Sequence, residues 1–197
     1  MICTPACITD ALPQFGTIGT CGDITSFRSG EIPYIGFIKC NIEFTDIEDP
    51  AEWTTKKTAG DITILPVGSG NIGEKSPTQT KRINCQNITT KCETPFEFRS
   101  AIIDSTTQAE WALYNQVETK AAYLLPFFVT CDNHLLVNPD YVTGGNIGID
   151  KKSMIVSQIL SGEEDSDMEY SIKGVLTNCK SLKVVKMAAT LAAAVVG

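Results

Sequence analysis

The sequence predicts a mainly β chain of the α+β class: a β-sandwich or barrel with one flanking helix, an extended N-terminal arm and long loops. Three observations lead there. Period-two alternation of apolar residues recurs through 31–186, as in Ile38-Cys40-Ile42-Phe44, Phe96-Phe98 and Phe127-Val129-Cys131. Segments rich in Gly, Pro and Asn punctuate these runs. One long stretch, 108–122, holds a helical period instead. The expected organisation is therefore an arm at 1–30, a β-rich domain at 31–186 and an apolar tail at 187–197.

Residues 1–30 combine Cys, Pro, Thr and Gly without a sustained period, hence the arm. From Ile32 to Phe44 the chain reads as a strand. Its second half sets Ile38, Cys40, Ile42 and Phe44 against Phe37, Lys39, Asn41 and Glu43, so one face should be buried and the other wet or at an interface. Asp49-Pro50-Ala51-Glu52 opens a short helix, with a capping carboxylate, a proline at the first helical position and an acid on the positive end of the dipole. A strand over Asp61–Val67 should run into a mobile glycine turn at Gly68–Ser76, and a strand pair is expected over Thr78–Lys91 and Glu93–Ile103. Two overlapping capping boxes, Ser105 with Gln108 and Thr107 with Glu110, precede the helix, whose stripe is Ala109, Ala112, Leu113, Val117 and Ala121.

Strands over Ala122–Val129 and His134–Val137 should be joined by a two-residue turn at Asp132-Asn133, placing Cys131 directly opposite His134. A loop follows at Asn138–Asn146. Strands at Ser153–Leu160 and Met168–Val175 then flank the acidic loop Ser161–Asp167, and a last strand covers Leu182–Lys186.

A net charge of −7 with scattered Lys and Arg argues against a protein that grips nucleic acid by its phosphates. The N-terminus lacks the basic start and apolar run of a signal peptide, and the apolar C-terminal run is too short to span a bilayer. The expectation is a soluble protein of a reducing cytoplasm whose eight cysteines are free thiols. Disulfides formed after release from a cell are the alternative, with Cys85 and Cys92 flanking a turn.

Few residues invite chemistry. Cys131 and the single histidine, His134, could offer two ligands to a metal, but a closed zinc site needs two more. Gly68-Ser-Gly-Asn-Ile-Gly73 contains GxGxxG and nearly a P-loop, yet Glu74 separates Gly73 from Lys75 and no helix start follows. The acids Glu163, Glu164, Asp165 and Asp167 lack the spacing and glycine of a calcium loop, and read as a solvated loop. Asn87-Ile88-Thr89 matches a glycosylation acceptor, which has no meaning without secretion. No nucleophile elbow or acid–base pair is present, so neither catalysis nor a cofactor is expected.

Taken together, Cys21–Phe44, DPAEWTTKKTAGDITIL at 49–65, SPTQTKRINC at 76–85 and YLLPFFVTCDNHLLV at 123–137 resemble virion structural proteins of tailed phages of Bacteroidetes, including crAss-like phages. The strand order with one intervening helix, and the late EYSIKGVL at 169–176, is similar to phage tail tube proteins. The resemblance implies a subunit that binds itself in rings, of the hexameric kind, which stack into a conduit for DNA within a tail or neck. Its partners would be other tail and neck proteins, with DNA passing but not specifically bound, and no membrane contact. Glu163, Glu164, Asp165 and Asp167 would be candidates for the lumen, where negative charge keeps DNA from adhering. A capsid decoration or head-fibre base protein is the alternative, and a Cys131/His134 metal module a third.

Overall fold

The computed structural model describes residues 11–12, 14, 32–83, 86–101, 124–159, 169–177 and 180–197. In chain order these form β1 (Tyr34–Lys39), α1 (Pro50–Thr58), β2 (Ile62–Ile64), β3 (Ser69–Ile72), β4 (Ser76–Ile83), β5 (Gln86–Ala101), β6 (Leu124–Val129), β7 (His134–Val137), β8 (Lys151–Ile159), β9 (Glu169–Leu176), β10 (Lys183–Lys186) and α2 (Ala189–Val196). Two antiparallel sheets result. The inner sheet runs β10-β7-β6-β1-β2, and the outer sheet runs β3-β5-β9-β8 with β4 also paired to β5. The expected mainly β, α+β class is what the chain adopts.

The inner sheet is the middle of three layers. One of its faces packs on α1 and α2, where Trp53, Leu191 and Val195 meet Ile38, Ile64, Phe127 and Leu135. Its other face meets the outer sheet, with Ile35, Phe37 and Phe128 against Phe96, Phe98 and Ile172. Phe96 and Phe128 cross edge to face at 5.4 Å, a favoured aromatic geometry. This layering corrects the first strand. All six residues of β1 are buried, so neither face is wet. Lys39 is buried too and is held there by Asp61 at 2.9 Å. The strand also ends early: Ile42 N donates to Lys39 O in a turn, and Phe44 returns only as an isolated bridge to Gly145.

The start of α1 follows its sequence cues. Asp49 accepts from Ala51 N at 2.9 Å, Pro50 opens the helix, and the Glu52 carboxylate accepts from the N–H groups of Thr45 and Asp46. Trp53 is fully buried and its indole N–H donates to Ile47 O at 2.8 Å. The C-terminal run 187–197 forms α2, a second helix on the inner sheet that the sequence pattern did not suggest. Lys57 reaches across from α1, and its Nζ donates to the carbonyls of Ala194, Val195 and Gly197. A cation thus satisfies carbonyls at the negative end of α2. The helix expected at 108–122 lies outside the described residues.

Two further expectations are corrected. The glycine segment at 68–73 is mostly strand β3, paired from Ser69↔Arg99 to Ile72↔Phe96. Its glycines permit close backbone approach, since a Cβ on Gly68 would lie 2.1 Å from Arg99 O and one on Gly70 2.7 Å from Ile32 O. The hairpin expected to turn near Cys92 is placed differently: β4 ends at Ile83 and β5 begins at Gln86, and these two residues pair. Cys92 sits inside β5 opposite Pro77 and does not border a turn; Cys85 lies outside the described residues.

Candidate functional site

The β6–β7 hairpin decides the fate of the Cys131/His134 pair. Phe128 pairs with Leu136 and Val129 with Leu135, which puts Thr130, not Cys131, opposite His134. Thr130 N donates to His134 O at 2.9 Å, and Asn133 N returns to Thr130 O at 3.1 Å. The loop therefore has three residues, Cys131, Asp132 and Asn133, with Asn133 in the left-handed region at φ 57°. A three-residue loop whose last residue is left-handed is a common hairpin connection, and asparagine accommodates that conformation. One residue of slip moves a side chain to the other face, so the expected juxtaposition is lost. Cys131 is moreover disulfide-bonded, as are Cys40 and Cys92, which removes it as a thiolate ligand and corrects the expectation of free thiols at these three positions. Among the described residues, no three His, Cys, Asp or Glu side chains gather as a metal site would need. Glu163, Glu164, Asp165 and Asp167 lie outside the described residues.

What the fold presents instead is exposed polar surface and a projecting strand pair, both on the outer sheet. Beyond Thr94↔Leu176 the β9 partner of β5 stops, yet β5 and β4 continue together from Ser76↔Glu93 to Ile83↔Gln86. They leave the sandwich as a two-stranded ribbon about 20–25 Å long at the usual rise per residue. Between Ser76 and Cys92 it carries Lys81, Arg82 and Lys91 and no acid, on a chain whose net charge is −7.

The outer face of the sheet is a lattice of ion pairs. Arg99 Nε lies 2.7 Å from Glu97, Lys173 Nζ 3.4 Å from the same carboxylate, and Lys152 2.8 Å from Glu93. The hydrogen bond from Arg99, with Lys173 behind it, holds the Glu97 carboxyl below its usual range. Beside them Asn71, Pro95, Ser153, Ile155, Lys173 and Val175 line a shallow groove. Ile155 is 59% exposed there, one of three large apolar residues so exposed among those described. At the start of β8, burial pulls the Lys151 amine down to about 8, against an opposing pull from Asp150.

The sheet edges differ sharply. At β2, Leu12 N donates to Gly60 O and the Gln14 amide to Ile62 O, so a piece of the N-terminal segment covers that edge. At β3, Gly70 bridges to Ile32 and Gly68 N donates to Pro33 O. The β10 edge is four residues long with a lysine at each end, the usual protection of an exposed edge. The β8 edge runs nine residues, and no described residue pairs with its outer side. Compared with protein families, curated proteins and solved structures, the chain gives no match.

Sequence reading missed both features for definable reasons. The ribbon is hidden in a reading that keeps Thr78–Lys91 as one strand, because β4 ends at Ile83 and β5 begins at Gln86 within that run. The β8 edge had a signal: Ser153–Ile159 is seven residues without a charge, bounded by Lys151-Lys152 and the acids at 163–167.

Proposed function

We propose that the chain is a self-assembling structural subunit of a tailed-phage virion, a tail tube or neck-ring component with no catalytic role. The observation that carries this is the β4–β5 ribbon. A two-stranded ribbon by itself is at best marginally stable in water, and among the described residues no third strand joins this one beyond Thr94, which favours a neighbour as its support. Its cationic residues on an acidic chain favour a neighbour of the same kind, because Lys81, Arg82 and Lys91 then meet net negative surface. The bonded Cys40, Cys92 and Cys131 suit a particle that spends its working life in an oxidising medium after leaving the cell.

Electron microscopy of the purified full chain tests the reading. Sixfold rings or tubes are expected, and replacement of 77–91 by a short turn should abolish them while leaving the circular dichroism of the sandwich. Particles that never exceed a few subunits at high concentration would overturn it. Trimers that bind capsids without stacking would overturn it in favour of a decoration protein.

A further inference from the structure

We infer that the β2 edge is a seat for a short extended peptide segment, and that residues 11–14, which fill it here, form a strap that leaves and re-enters while the sandwich stays folded. β2 is the last strand of the inner sheet, so its outward carbonyls need partners. Leu12 N donates to Gly60 O at 2.7 Å, and the Gln14 side-chain amide donates to Ile62 O at 2.9 Å. The Leu12 side chain is 3% exposed and joins the cluster between the sheets that holds Ile35, Phe37 and Leu65. Gly60 makes this approach possible. Its φ is 71°, and a Cβ there would lie 2.5 Å from the Ala11 Cβ.

The seat reads one pattern, an apolar side chain followed two residues later by an amide. Leu12 fills the apolar socket, while the Gln14 amide reaches Ile62 O and also folds back on Leu12 O at 3.1 Å. The occupant is therefore a Leu-x-Gln segment, supplied by this chain itself. The same attachments make the strap separable. Among the described residues it is held by one backbone bond, one side-chain amide and one buried leucine. Pro13 brings no N–H with which to extend a ladder. β2, by contrast, pairs with β1 from Gly36↔Ile64 to Ile38↔Ile62, and bonds from Lys39 N to Asp61 O and from Leu65 N to Ile35 O continue the tie at both ends. An element with so few attachments opens well below the free energy of global unfolding. Once it is out, Gly60 O, Ile62 O and the socket accept another extended segment of the same pattern by strand addition. This inference does not rest on the tube reading and uses a different sheet from the ribbon.

Two measurements on the full-length, non-reduced protein provide the test. Hydrogen exchange read by NMR addresses the strap: the Leu12 amide should exchange at least about tenfold faster than those of Lys39 and Leu65, and its rate should not respond to low denaturant. A fluorescent synthetic peptide with the sequence of residues 8–17 addresses the seat. It should bind the Leu12→Asp variant, whose own strap is expelled by a carboxylate in an apolar socket, at least about tenfold more tightly than wild type. Gln14→Ala, which leaves the core intact, should show the same preference more weakly. A peptide carrying Leu12→Asp should bind none of the three proteins. Exchange of Leu12 in one cooperative event with Lys39 and Leu65 overturns the inference. So does a peptide that binds wild type and both variants alike, or binds none of them.

Discussion

The two sheets of this protein are built from similar residues but are finished differently. The inner sheet has both faces buried, one under α1 and α2 and the other under the outer sheet. Its β2 edge is covered by Leu12 and Gln14, and its β10 edge is short and lysine-flanked. The outer sheet buries one face only, extends a ribbon past its own neighbours, and keeps a nine-residue edge at β8. Such a contrast separates the part that holds the fold from the part left exposed. Where burial is complete, substitution should cost stability; where it is not, substitution should cost little.

The largest expected effect tests the inner half of that contrast. Phe127 is fully buried and stacks edge-on to Trp53 at 5.6 Å. Phe127→Ala should destabilise the protein by about 3–5 kcal/mol, the usual cost of emptying an aromatic site in a core. Ile155→Ala on the outer sheet should stay within about 0.5 kcal/mol, since an exposed side chain loses little on truncation. Urea melts of both variants at low protein concentration measure the difference. Equal losses would mean that the outer sheet is as much a part of the stability core as the inner one.

A smaller effect concerns how the C-terminal run is held. The half-buried Lys57 amine, its pKa lowered by that burial, donates to three carbonyls at the end of α2. Lys57→Met keeps the stem and removes the donor, which should cost about 1–2 kcal/mol. Hydrogen exchange should show the loss first at 189–196, before the inner sheet loosens. Uniform loosening across the sheet would instead make α2 one cooperative unit with it.

Much of the inner architecture was legible from local cues. Asp49-Pro50 marked the start of α1, and the alternation in Phe127–Val129 marked β6. What was not legible depended on layers and register. The pattern at Phe37 and Lys39 looked half wet because a lysine usually faces water, yet Asp61 holds this one between layers. Cys131 and His134 seemed paired because a two-residue and a three-residue turn look alike in sequence. Only the pairing Val129↔Leu135 distinguishes them. The C-terminal run read as a tail since nothing in its eleven residues says which surface it covers.

The finest contrast is electrostatic and sits at the root of β8. Lys151 has a folded-state pKa of about 8, lowered from 10.5 mainly by burial. Between those values the unfolded chain holds a proton that the folded chain has released, so this group makes stability rise with pH across that window. Tyr141 and Tyr170, whose pKa values burial raises above 10.0, act in the opposite sense once the unfolded tyrosines begin to ionise. The Lys151 contribution is therefore read between pH about 8 and 10, as the difference between wild type and Lys151→Met. Wild type should gain stability relative to the variant across that range. Parallel profiles would show that the amine is solvated in the free chain.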